Sequence, residues 1–158
     1  MKKCIALAIV LTTVMACGPK TVQESKKVLK GYWNLDEITY SEEGTFNITM
    51  MRDTSKECFE GSAWRFIPNN NTGIYTINDS NCPTGDRHFI FTIQEVDANT
   101  GLYDFLLKPT DEKKKSATNQ GFRFKLARLT GNSMTWEQTV SLDGSPFTIY
   151  MNFSKTSD

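Results

Sequence analysis

A single histidine in 158 residues leaves little room for the chemistry that most hydrolases need. No Gly-x-Ser-x-Gly elbow, no phosphate-cradling glycine-rich loop and no His-Glu-x-x-His helix occurs in the chain. A Ser-His-Asp arrangement has only His88 to use, and that residue opens a strand-like run, where a structural histidine is the ordinary expectation. A basic surplus is missing too. Lys+Arg and Asp+Glu both number 18, whereas a nucleic-acid binder carries a basic excess. Acid pairs such as Glu42-Glu43 and Asp111-Glu112 sit in polar stretches that read as solvated loops. Asn78, Asp79, Asn81 and Asp86 offer oxygens, but at spacings that no EF-hand loop uses. The sequence thus offers no catalytic residue, no metal site and no cofactor site, and the expectation is a protein that is not an enzyme and does not bind nucleic acid.

The apolar run from Ile5 to Ala16 falls well short of the roughly 20 residues that a membrane-spanning helix needs. Placed behind Met1-Lys2-Lys3, it has the basic start and short apolar body of a secretory signal. Val14-Met15-Ala16-Cys17 resembles the lipobox of bacterial lipoproteins, whose cysteine is lipidated and becomes the acylated N-terminus after cleavage. The resemblance implies a signal peptide over residues 1–16 and lipidation at Cys17. A tether and short helix would fill residues 17–30, and one domain residues 31–158. Several acyl chains hold a protein on a membrane far more firmly than one. Gly18, not an acid, follows the cysteine, which resembles an outer-membrane address. The expected location is the cell envelope, lipid-anchored at the outer membrane.

Cysteine is scarce, at four residues. Cys4 leaves with the signal and Cys17 carries lipid, so Cys58 and Cys82 remain as one pair. An oxidising compartment favours a disulfide between them. Closing a loop of 24 positions stabilises by roughly 3 kcal/mol on chain-entropy grounds.

What the chain has in quantity is aromatic residues (ten Phe, five Tyr and three Trp) and alternation. Thr21 to Lys30 suits a short helix with Val22 and Leu29 on one side. From Gly31 onward apolar residues recur at every second position, with turn residues every ten or so. Phe46, Ile48 and Met50 share one face of a predicted strand, as do Trp64 and Phe66, Phe89 and Phe91, Phe105 and Leu107, Phe122 and Phe124, and Met134 and Trp136. The last apolar face runs from Phe147 to Phe153. Eight or nine such strands with one wet face must close on themselves or stack as a sandwich. Arg65, Lys125 and Glu137 stand at mid-strand on the polar faces, which a membrane barrel would not tolerate against lipid. The predicted fold is all-β: an antiparallel up-and-down barrel of eight or nine strands behind a short helix.

Gly31 and Trp33, inside Leu29-Lys30-Gly31-Tyr32-Trp33-Asn34-Leu35, form a Gly-x-Trp that resembles the opening signature of lipocalins. The stretches Cys58 to Phe66, Asn69 to Tyr75 and Met134-Thr135-Trp136 resemble lipocalin-like lipoproteins of Gram-negative bacteria. The resemblance spans roughly Leu29 to Lys155. It implies an eight-stranded barrel with a cavity, closed at one end near Trp33, with a basic residue packed over that ring; Arg123 and Arg128 are the candidates. It also implies a binding habit toward a small apolar molecule such as a lipid or fatty acid. The candidate cavity residues are Phe46, Ile48, Met50, Trp64, Phe66, Phe89, Phe91, Phe105, Phe122, Phe124 and Trp136. The alternative is a barrel filled by its own side chains, acting as an interaction module toward an envelope protein or glycan. A hollow barrel predicts that truncating Phe124 or Trp136 is milder than truncating Trp33.

Overall fold

Strict alternation gives each strand one buried and one wet face, and a long meander of such strands has to curl until its first and last members meet. In the computed structural model, which describes residues 22–158 (of Glu95 the backbone only), that closure is complete. The chain runs α1 (Val22–Leu29), β1 (Gly31–Tyr40), β2 (Thr49–Met50), β3 (Thr54–Ser55), α2 (Lys56–Phe59), β4 (Ala63–Ile67), β5 (Thr72–Ile77), β6 (Gly85–Val96), β7 (Tyr103–Thr110), β8 (Phe122–Leu129), β9 (Ser133–Leu142) and β10 (Ser145–Ser157). Eight strands close in the order β1-β10-β9-β8-β7-β6-β5-β4. All neighbours are antiparallel. The expected signal peptide and the expected lipidation site, Cys17, lie outside the described residues.

Bulges correct the alternation where the sequence slips. Trp33 and Leu35 point inward from β1, and a register shift between Leu35 and Glu37 brings Ile38 inward as well. A bulge of this kind also bends the strand, which closure requires. Two glycines are dictated by space. Gly31 has φ +118, and a Cβ there would lie 2.5 Å from the Ser157 carbonyl oxygen. Gly73 is flanked in register by Phe66 and Phe89, and a Cβ on it would run into the Phe89 ring.

Phe46 to Met50 is not a barrel strand. Only Thr49–Met50 pairs, with Thr54–Ser55, in a separate two-stranded ribbon. The physical reason is that β1 has no free edge to offer. β10 takes one side along nearly its whole length, and β4 takes the first residues of the other. Beyond these, the Leu35 amide donates to the Ser62 carbonyl (3.0 Å), the Gly61 amide donates to the Leu35 carbonyl (2.7 Å) and the Ile38 amide donates to the Glu60 carboxylate (2.7 Å). The α2 segment therefore completes the wall, with Phe59 fully buried.

The two barrel ends differ. Turns β4–β5, β6–β7 and β8–β9 gather at one end, where α1 covers them. An eight-residue helix is marginal on its own, and this one is tied down. Ser25 Oγ donates to the Gly101 carbonyl (2.7 Å), Lys26 Nζ donates to Asn71 Oδ1 (3.0 Å) and Leu29 is buried. The opposite end carries the long connections, residues 41–62, 78–84 and 111–121. There the Cys58–Cys82 disulfide, with Cα atoms 5.8 Å apart, joins α2 to the β5–β6 loop. The eight barrel strands, the α1 helix that covers one end and the disulfide all fall within residues 22–158, so that stretch carries the complete closed barrel with its cover and its cross-link.

Candidate functional site

The barrel interior was the expected ligand cavity, and most of it is solid. Trp64 stacks on Tyr75 with centroids 4.6 Å apart and meets Trp136 edge-on at 5.4 Å. Trp136 in turn contacts Phe105 at 4.7 Å, Phe153 at 4.9 Å and Phe124 at 5.4 Å. Seven of the candidate residues, Trp64, Phe66, Phe89, Phe91, Phe105, Phe124 and Trp136, belong to this packed set and are buried. The cavity that Leu29, Phe66, Phe91, Tyr103, Phe105, Leu126 and Trp136 enclose measures about 10 Å³, room for one water-sized group. The cause is geometric: an eight-stranded barrel is only wide enough for its own side chains when these are bulky rings. Tyr103 OH and Trp136 Nε1, both in that lining, find no hydrogen-bond partner among the described residues, and burial pushes the Tyr103 phenol well above its ordinary range.

Trp33 is fully buried at the α1 end, and its Nε1 donates to the Leu29 carbonyl at 2.9 Å. The cation over its ring belongs to Lys155, 5.7 Å from the centroid, and not to either expected arginine. Arg123 pairs with Asp104 at 3.0 Å and Arg128 is exposed. The reason is register, since β10 places Lys155 directly opposite Trp33. Lys155 Nζ also donates to the Val28 carbonyl (3.3 Å) and pairs with Asp158.

At the other end the strands part. The β8–β9 register runs from Leu129↔Met134 to Lys125↔Glu137, whereas β9 and β10 stay paired as far as Leu142↔Ser145. The inward positions Gln138, Val140 and Leu142 therefore continue past their neighbour strand. With Phe147 and Ile149 of β10 and Phe122 of β8 they form one wall of a pocket of about 500 Å³, and residues 45–52 form the facing wall. Val140 and Leu142 are 39% and 38% exposed, an unusual state for large aliphatic side chains on the core face. Tyr40, Phe46 and Phe147 seat the loop on the barrel with centroids 4.8–5.3 Å apart. Four of the candidate residues, Phe46, Ile48, Met50 and Phe122, line this mouth. The sequence reading missed Val140, Leu142, Arg52, Gln120 and Gln138. For the β9 residues the signal was there, because Gln138, Val140 and Leu142 extend the alternation of Met134 and Trp136.

The facing wall is pinned from outside. Asp53 Oδ2 accepts from Tyr75 OH (2.9 Å) and from Arg87 Nε (3.0 Å), and Arg87 also donates to the carbonyls of Gly85 and Pro83. Burial first, then the Asp53 charge, holds the Tyr75 phenol far above its usual pKa. Burial, reinforced by Glu57 and Glu60, raises Tyr40 as well. His88 is half-buried on β6, paired in register with Ile74 and Thr110. Among the described residues, no three His, Cys, Asp or Glu side chains group as metal ligands would.

No curated protein matches the sequence. Among solved structures, a crystal structure of a lipocalin-like protein from Bacteroides uniformis is similar at 11% identity and a TM-score of 0.49, covering 82% of this chain and 99% of that one. The family model described as lipocalin-like domain matches residues 29–136, well over half of the sequence. That match begins at the residue that caps Trp33 and ends at the ring in the centre of the barrel; the chain belongs to the lipocalin-like domain family.

Proposed function

We propose that this chain is a lipid-anchored envelope lipoprotein whose barrel takes one small apolar molecule, lipid- or fatty-acid-like, at its mouth. The observation that carries the reading is the apolar pocket of about 500 Å³ between residues 45–52 and the extended β9–β10 hairpin, a size within the ~300–1,000 Å³ usual for ligand sites. The packed rings below act as a floor for the ligand. Anchoring at the outer membrane rests on Met1-Lys2-Lys3, the apolar run and Ala16-Cys17. The test is a titration of residues 22–158 with an apolar, environment-sensitive fluorophore. Saturable binding of one probe per barrel, displaced by a long-chain lipid, is the expected result.

A second reading is favoured by the solid interior: an interaction module whose loops contact an envelope protein or glycan, with no small ligand. A wild type that binds no probe, and that native mass spectrometry finds without a co-purifying small molecule, would select it.

A further inference from the structure

The mouth is lined mainly by apolar side chains, with Thr45, Asn47, Thr49, Gln120 and Gln138 among them, and it carries one charge. Arg52 is the single charged side chain among the described residues that line the pocket, and no carboxylate lines it. Its exposed guanidinium makes one hydrogen bond among the described residues, from Nη1 to Gln120 Oε1 at 2.8 Å, which leaves the rest of its five N–H donors to solvent or to a ligand. A cation in a mainly apolar lining that holds no carboxylate among the described residues suits a ligand that brings the anion.

The backbone that presents Arg52 gives an independent argument. The ribbon turns through Met51 (φ 47°) and Arg52 (φ 57°), with the Asp53 amide donating to the Met50 carbonyl at 2.8 Å. Turns with positive φ at both central residues favour Asn-Gly, because larger side chains are crowded there. Strain of this kind persists where the surroundings over-determine it, and it gathers at ligand clamps. Here the next residue, Asp53, is held by Tyr75 and Arg87, so Arg52 rides on a pinned turn beside the pocket.

We infer that the mouth selects a single-chain amphiphile with an anionic head. The tail lies on Phe122, Val140, Leu142 and Ile149, and the head meets Arg52 with the Gln120 and Gln138 amides beside it. This rests on the reading of the mouth as an apolar-ligand site and adds the charge of what enters it. A neutral head gains hydrogen bonds alone, and a cationic head is repelled.

Dodecanoate, dodecanol and dodecyltrimethylammonium share one tail and differ in the head. Each is titrated at low salt, below its micelle concentration, against residues 22–158 carrying the bound fluorophore. The expected order is anion, alcohol, cation, with dodecanoate about tenfold ahead of dodecanol, as befits a partly solvated charge-assisted hydrogen bond. Arg52→Gln should bring dodecanoate down to the level of dodecanol, and Arg52→Lys should retain part of the difference. Dodecyl phosphate should follow dodecanoate. Equal affinities for the three heads, or a dodecanoate advantage that survives Arg52→Gln, overturns the head-group inference while the apolar pocket stands. Displacement by acetate or inorganic phosphate alone shows a bare anion site and overturns the amphiphile. No displacement by any of the three overturns the reading of the mouth itself.

Discussion

Trp136 and Leu142 stand on the same face of the same strand, six positions apart, and meet opposite fates. Trp136 is 1% exposed among Phe105, Phe124 and Phe153, whereas Leu142 is 38% exposed. The difference is not hydrophobicity but the presence of a neighbour strand. Where β8 pairs with β9, every inward side chain has partners on both flanks and the interior fills. Where β9 outruns that pairing, inward side chains face the 45–52 wall across open space. One alternating pattern therefore builds a core at one end of the barrel and a binding surface at the other.

The largest expected effect tests the solid half. A hollow barrel makes Trp136→Ala milder than Trp33→Ala; the packed rings make the two alike. Both should destabilise by about 3–5 kcal/mol, because each leaves a void that its neighbours cannot fill. Denaturant unfolding of the two variants measures this. A Trp136→Ala variant within about 1 kcal/mol of wild type, far below the range for a buried ring, would mean that the centre is not packed.

Next in size is the cross-link at the mouth end. Cys58–Cys82 ties α2, which closes the wall between β1 and β4, to the β5–β6 loop. Replacing both cysteines with serine should cost about 2–4 kcal/mol, chiefly by restoring freedom to the unfolded chain. Peptide mapping without reductant gives the bond directly, and the same unfolding curve gives its weight. A double variant as stable as the wild type would show that hydrogen bonds alone hold the α2 segment in place.

How much of this was legible follows the same division. Period-two patterning fixes a strand's face but not its neighbours, so the eight-stranded barrel and the α1 helix could be read from the sequence. The place of Phe46 to Met50 could not, because nothing local tells that both edges of β1 are already taken. The disulfide followed from counting four cysteines and discarding two. The cation over Trp33 did not, because the pairing of Trp33 with Lys155 spans almost the whole domain and becomes visible only once the barrel closes. Whether the rings fill the barrel or line a cavity was likewise beyond the pattern. It depends on packing across the interior, including the space that Gly73 leaves for Phe89.

The smallest effect on stability is expected at the mouth, where it is also the most informative about function. Val140 and Leu142 are more than one-third exposed, so replacing them with serine removes little that folding has buried. Changes at surface positions of this kind fall within about 0.5 kcal/mol. A bound apolar ligand would cover them, and each side chain then contributes roughly 1 kcal/mol through apolar area removed from water. Leu142→Ser alone should therefore weaken the apolar fluorophore severalfold, and Val140→Ser combined with it by about tenfold or more, while both variants unfold at the wild-type denaturant concentration. The contrast with Trp136→Ala lies in the ratio of the two readouts, affinity lost against stability lost. Unchanged probe affinity in the double variant would remove the β9 extension from the site, and a loss of stability approaching that of Trp136→Ala would show that the mouth is core after all.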